Sequence, residues 1–196
     1  MTRKLAAMLC LAVLLAACDD EKAVPPPQEL SSGDISHYDQ MLAVDHAGPK
    51  AQIILESRDE PVWFSSVRDA FAFHLLPEEP RDIAAIYVND MGRAQSWEDP
   101  GPGTWIEARE ALYVIGSEMR GGMGAEEPVP FGEREAAEAF AAEHGGEIVE
   151  FEDVPEGYIL GATAEPAHGA HGATEGEGHA ASPGQHEPRR RERGQQ

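Results

Sequence analysis

The residues of this 196-residue chain best suited to chemistry are soft donors in open stretches of sequence. Met123 stands in Gly121-Gly122-Met123-Gly124, without apolar neighbours for helical or strand packing. Core filling, the usual work of a methionine, does not account for it there, and its thioether is offered on a pliable loop. A second group is His37-Tyr38-Asp39-Gln40-Met41, with His46 five residues further on. Strand alternation would put His37, Asp39 and Met41 on one face. Thioether with imidazole suits Cu(I), a soft ion, and suits Mg(II) or Ca(II) badly. Met41, Met91 and Met119, taken singly, read first as packing residues, and His74 and His144 as a helix-face and a helix-end residue.

Covalent catalysis finds no such candidates. The body contains no G-x-S-x-G elbow, H-E-x-x-H helix, phosphate loop or C-x-x-C pair. The glycines of 121–124 lack the lysine of a phosphate cradle. Carboxylates abound, but in a chain with 36 Asp+Glu a pair of them meets by chance, so acid and base roles cannot be assigned. With 15 Lys+Arg the formal charge is -21, which repels phosphate backbones and argues against nucleic-acid binding.

Both ends of the chain are set apart from the part that folds. Arg3 and Lys4 precede an apolar run from Leu5 to Leu15, and Leu15-Ala16-Ala17-Cys18 closes it with small residues before a cysteine. This reads as a lipoprotein signal over residues 1–17, with Cys18 lipidated as the new N-terminus; an ordinary export signal is the alternative. Cys10 leaves with the signal, so no free thiol remains to act as a nucleophile. Processing leaves 13 basic against 36 acidic side chains, a charge of -23. Asp19 and Asp20 resemble an inner-membrane retention signal, which favours the periplasmic face of the inner membrane. Residues 18–34 are charged and proline-punctuated and are expected to form a flexible tether. From 161 to 196 the chain lacks Leu, Ile, Val, Phe, Trp and Tyr, so burial cannot offset its chain entropy and a disordered tail is expected. Its His168, His171, His179 and His186 could capture divalent metal loosely; a polar solubilising extension is the favoured reading.

Between these ends the sequence repeats itself, and Pro61-Val62-Trp63-Phe64 and Pro128-Val129-Pro130-Phe131 mark corresponding points. Short apolar runs before them, Ala51–Leu55 and Leu112–Ile115, read as strands. After the first, Ser65 or Ser66 can cap a helix carrying Val67, Ala70, Phe71 and His74 on one face. After the second, Ala136, Ala137, Phe140 and Ala141 form a helix face that ends at His144-Gly145-Gly146. Strands 83–88 and 147–151 follow, and one further strand is expected ahead of each unit. Thr104-x-x-Glu107 reads as a capping box opening a short helical turn. The outcome is an α+β protein of two small tandem domains, 35–98 and 99–160.

The strings His37-Tyr38, Met41, His46-x-Gly48-Pro49-Lys50-Ala51-Gln52-Ile53, Pro61-Val62-Trp63-Phe64-Ser65, Asp90-Met91-Gly92, Trp105-Ile106, Tyr113-Val114-Ile115 and Gly121-Gly122-Met123-Gly124-Ala125 together resemble the NosL family. These are copper chaperone lipoproteins of nitrous oxide reductase maturation. The resemblance, over about residues 36–160, implies a pair of ββαβ domains similar to the organomercurial lyase-like fold. It also implies one bound Cu(I), delivery to the copper clusters of the reductase, and apo-nitrous oxide reductase and the NosDFY transporter complex as partners. It implies no enzymatic activity; the carbon–mercury cleavage of the lyase needs thiols, and none is free. The family's ligands would be Met123 and a cysteine two residues after the histidine of H-Y. Here that position is Asp39, a hard ligand, while Met41 is kept. Met41 with Met123 and an imidazole from His46 or His37 is the expected set; weaker transient binding and loss of copper binding are the other repairs. A metal-independent scaffold for the same machinery is the rival reading.

Overall fold

The computed structural model describes residues 23–161. The readings made for the export signal, Cys18, Asp19, Asp20 and the tail from residue 162 lie outside those residues.

The two P-V-x-F segments are themselves strands, and each stands second in a strand–strand–helix–strand unit. The first unit comprises β1 (Ala51–Leu55), β2 (Val62–Phe64), α1 (Val67–Leu75) and β3 (Ile83–Asn89). The second comprises β5 (Leu112–Ile115), β6 (Val129–Phe131), α2 (Arg134–His144) and β7 (Glu147–Glu150). Between them runs β4 (Trp105–Glu107), and α3 (Glu156–Leu160) closes the fold. Two antiparallel sheets result, ordered β2-β1-β3-β4 and β6-β5-β7. Matching registers underline the repeat: Ala51 pairs Phe64 in the first sheet as Leu112 pairs Phe131 in the second.

Local chemistry fixes the helices. Ser66 caps α1 by accepting from Asp69 N at 3.1 Å, satisfying one of the free N–H groups of the first turn. Gly145, at φ 74°, ends α2 in a conformation that carries no strain without a Cβ. The expected capping box at Thr104 is not formed: residues 105–107 pair with β3, and a 3-10 turn starts only at Ala108, capped by Glu107. Pairing with β3 satisfies the backbone of 105–107, which a helical turn there would leave open. This β4 is the strand ahead of the second unit, but it joins the first sheet. Ahead of β1 the described residues form no strand; they make the isolated bridges Ile35–Leu42 and Ser36–Trp63 and a 3-10 turn at Ala43–Asp45.

The main core crosses the expected boundary at residue 98. Ile53, Phe64, Phe71 and Ile86 of the first unit cluster with Tyr113, Ile115, Phe151 and Ile159 of the second. Phe71 stacks on Phe151 at 4.7 Å and meets Tyr113 edge-on at 5.1 Å. On the other side of β5, Val114 packs with Val129, Phe131 and Ala137 beneath α2. Met91 packs against that cluster and is therefore a core filler.

All five residues of β1 are buried, although an antiparallel sheet usually wets one face. The cover comes from the N-terminal segment. Gln52, fully buried, uses its side-chain amide as a surrogate strand: Oε1 accepts from Gln28 N and Nε2 donates to Gln28 O, both at 2.8 Å. Tyr87 Oη donates to Pro25 O at 2.7 Å, and Glu29 Oε1 accepts from Gly103 N at 3.1 Å. The segment expected to be a flexible tether is thus bound to the sheet over residues 25–29, because the apolar second face of the sheet needs a partner.

Candidate functional site

Segment 35–42 is a closed turn rather than the strand assumed for the His37–Met41 alternation. Ser36 N donates to Met41 O at 2.8 Å, Gln40 adopts φ 58°, and Asp39 Oδ1 accepts from Met41 N at 2.9 Å. An aspartate bonding the backbone two residues on offers the chain a turn in place of strand pairing. His37, Asp39 and Met41 therefore do not share a pleated face. The His37 ring packs on Tyr38, Phe64 and Phe73, and its Nε2 lies 3.8 Å from Glu79. Met41 remains 48% exposed.

Asp39 looks the other way. Ser65 Oγ donates to its Oδ2 at 2.6 Å, and His46 Nε2 lies 3.5 Å from that same oxygen. Burial opposes ionisation of Asp39, but the hydrogen bonds from Ser65, Met41 N and Ser36 and the proximity of His46 outweigh it and hold its carboxyl below the usual range. His46 is buried, and its Nε2 makes no hydrogen bond among the described residues; 3.5 Å to Asp39 is ion-pair range only. This nitrogen is the open donor of the site.

His46 is held by its own backbone. Lys50, buried at the start of β1, donates from Nζ to the carbonyls of His46 (2.6 Å) and Gly48, and its N–H donates to Asn89 Oδ1 at 2.8 Å. Burial pushes the Lys50 ammonium down to about 8, against the opposing charges of Glu127 and Asp99.

The glycine loop arrives from the second unit. Gly124 N donates to Gly121 O at 2.7 Å and Gly121 N to Ala125 O at 3.0 Å; an Arg120–Glu126 bridge closes the base. Each glycine has its own reason. At 122, an added Cβ would come within 2.5 Å of His46 Cβ; at 121 it would run into the Glu127 carboxyl; at 124, φ is 77°. The loop tip is therefore pressed onto the histidine, and Met123 projects from it 68% exposed.

Close approaches run from Gly122 of the loop to His46, from His46 to Asp39 and from Asp39 to the Met41 backbone N–H, while His37 sits in an aromatic cluster. Met41 and Met123 are both exposed, and the Nε2 of the buried His46 is unbonded among the described residues. Among the described residues, no three His, Cys, Asp or Glu side chains come together as a metal cage. Lys50, Glu127, Ser65 and Asn89 were missed as site-building residues. A lysine opening a continuous apolar run was the one readable signal, since a lysine is rarely buried without partners.

Residues 27–159 match the family model described as NosL. The chain is 46% identical over 149 residues to the copper-binding lipoprotein NosL of Achromobacter cycloclastes, covering 75% of this chain and 77% of that protein. It is 34% identical over 168 residues to the protein of the same name from Stutzerimonas stutzeri, covering 82% and 86%. The crystal structure of the copper chaperone NosL from Shewanella denitrificans superposes with a TM-score of 0.63 at 33% identity, over 67% of this chain and 98% of that one.

Proposed function

The chain belongs to the NosL family, and from that premise we propose that it is an exported, lipid-anchored chaperone that carries one Cu(I) between Met123, Met41 and His46. Its relatives are named for copper binding and chaperoning rather than for a reaction. The observation that carries the reading is the pressing of Gly122 onto His46, whose Nε2 is unbonded while thioethers stand on both flanking segments.

Two sulfurs and one imidazole satisfy a soft monovalent ion without closing its coordination sphere. An acceptor's ligand can then enter from the exposed Met123 side and displace the donors one at a time, so the cargo leaves without passing through water. Asp39, held ionised by Ser65 and the turn, lies 3.5 Å from the His46 Nε2 offered to the metal, and its hard carboxylate does not replace the family cysteine as a soft ligand. His46, rather than His37, supplies the nitrogen, since the His37 ring is engaged with Phe64 and Phe73.

The destination of the copper is the clusters of apo-nitrous oxide reductase, reached together with the NosDFY transporter complex. The lipid on Cys18 keeps donor and acceptors in one periplasmic layer at the inner membrane and raises their effective concentration.

Cu(I) titration of the lipid-free protein against a competing chelator tests this. Met123→Leu, Met41→Leu and His46→Ala each weaken binding, while Met91→Leu, in the core, leaves it unchanged. No tight binding by the unsubstituted protein overturns the reading. Nitrous oxide reductase matured normally by the double methionine variant favours the metal-independent scaffold.

A further inference from the structure

We propose that Glu127 is the positioning residue of the Met123 loop, fixing it against the first turn of α1; as a statement about copper this rests on the reading above. Glu127 follows the loop directly, yet its side chain is buried and reaches back to the first unit. Its Oε1 accepts from Val67 N at 2.7 Å and Arg68 N at 3.2 Å, two N–H groups that helix geometry leaves free. Its Oε2 has no hydrogen-bond partner among the described residues and is turned to Gly121, where even a methyl group would strike it.

The main chain around it is held as well. Arg68 Nη1 donates to Glu126 O at 3.1 Å, and Tyr158 Oη to Glu127 O at 3.2 Å. The same helix start serves the other half of the site, for Ser65, two residues before Val67, holds Asp39 beside His46. One helix terminus therefore sets the register between the turn bearing Met41 and the loop bearing Met123. The buried carboxyl lies so close to the loop base that only a residue without a Cβ fits at position 121.

The test compares Glu127→Ala, Glu127→Asp and Glu127→Gln in the lipid-free protein, reading Cu(I) affinity by chelator competition and amide exchange of Gly122 and Gly124 without metal. The amide oxygen of Gln accepts the same two N–H groups, so Glu127→Gln keeps the affinity and the slow exchange. Ala and Asp lose the reach; affinity falls about ten-fold or more, and the loop amides exchange faster while unfolding stays cooperative. Gly121→Ala adds an independent check: it weakens binding in the unsubstituted protein and is relieved when Glu127 is Ala. Unchanged loop exchange in Glu127→Ala, or a Gln variant as impaired as Ala, overturns the proposal. Should no form bind Cu(I), the chaperone reading fails, while the exchange data and the Gly121 pairing still decide the role of Glu127.

Discussion

Gly122 and His46 interlock: a methyl group at residue 122 would stand 2.5 Å from His46 Cβ and 3.0 Å from Nδ1. The two residues come from different strand–strand–helix–strand units, so their contact is where the repeat becomes a site. It seats the loop that carries Met123 against a histidine whose backbone is already tied down by Lys50.

Gly122→Ala is therefore expected to lift the loop tip away from the histidine while sparing the fold, because residues 122–126 are exposed. Cu(I) affinity should fall about ten-fold or more, with an unchanged melting temperature. Equal affinity for the variant and the parent would show that loop and imidazole do not act together.

Asp39→Cys puts a soft donor at the position where the family resemblance implies a cysteine ligand. The substitution removes the acceptor used by Ser65 and Met41 N, so some stability is lost, about 1 kcal/mol. Thiolate suits Cu(I) far better than carboxylate, so binding should tighten by about ten-fold or more. Anaerobic competition titrations check this; weaker binding would mean that the aspartate's hydrogen bonds within the turn and to Ser65 outweigh the gain of sulfur.

Glu127 and Lys50 give the fold a pH signature. Burial pushes the Glu127 carboxyl up from 4.5 to about 8, so between those values the native state holds a proton that the unfolded chain has released. Its contribution to stability is complete below about 4.5 and is lost as pH rises toward 8, by up to about 1.4 kcal/mol per pH unit. Lys50, pushed down to about 8, acts with the opposite sign: stability recovers between about 8 and 10.5. Urea unfolding across pH 5 to 8 should slope downward for the parent and flatten in Glu127→Gln; parallel slopes would count against a buried neutral carboxyl.

Gln52→Ala removes both hydrogen bonds to the Gln28 backbone. The N-terminal segment should come off the sheet, exposing Tyr87 and the neighbouring apolar face, with a loss of about 1 to 3 kcal/mol. Limited proteolysis followed by mass spectrometry reads the change directly, as faster cleavage within residues 23–30. Cleavage at the parental rate would mean that Tyr87 and Glu29 suffice to hold the strap.

Much of the architecture was legible because it is written locally. Ala51–Leu55 and Leu112–Ile115 are apolar and β-branched, and both formed over those same residues. Ser66 and Gly145 carry their capping chemistry in their own side chain or its absence. What misled was equally local. Alternation at His37, Asp39 and Met41 looked like a strand face, but the Asp39 carboxylate found the Met41 N–H first. Thr104-x-x-Glu107 had the letters of a capping box, while β3 offered those residues a ladder. Prolines at 25–27 suggested a free tether, and no pattern within that stretch revealed that Gln52 would bind it.

The sequence by itself determined the repeated unit, the glycine-flanked thioether and the motif order that assigns the family, since each depends on side chains a few residues apart. Only the tertiary structure decided which histidine meets the loop, that Asp39 turns to Ser65 and His46, and that Glu127 holds the first turn of a helix 60 residues away. The physical reason is that burial and hydrogen-bond satisfaction are settled between segments. A charged residue reads as solvent-facing until the chain folds and supplies the donors that let it stay inside.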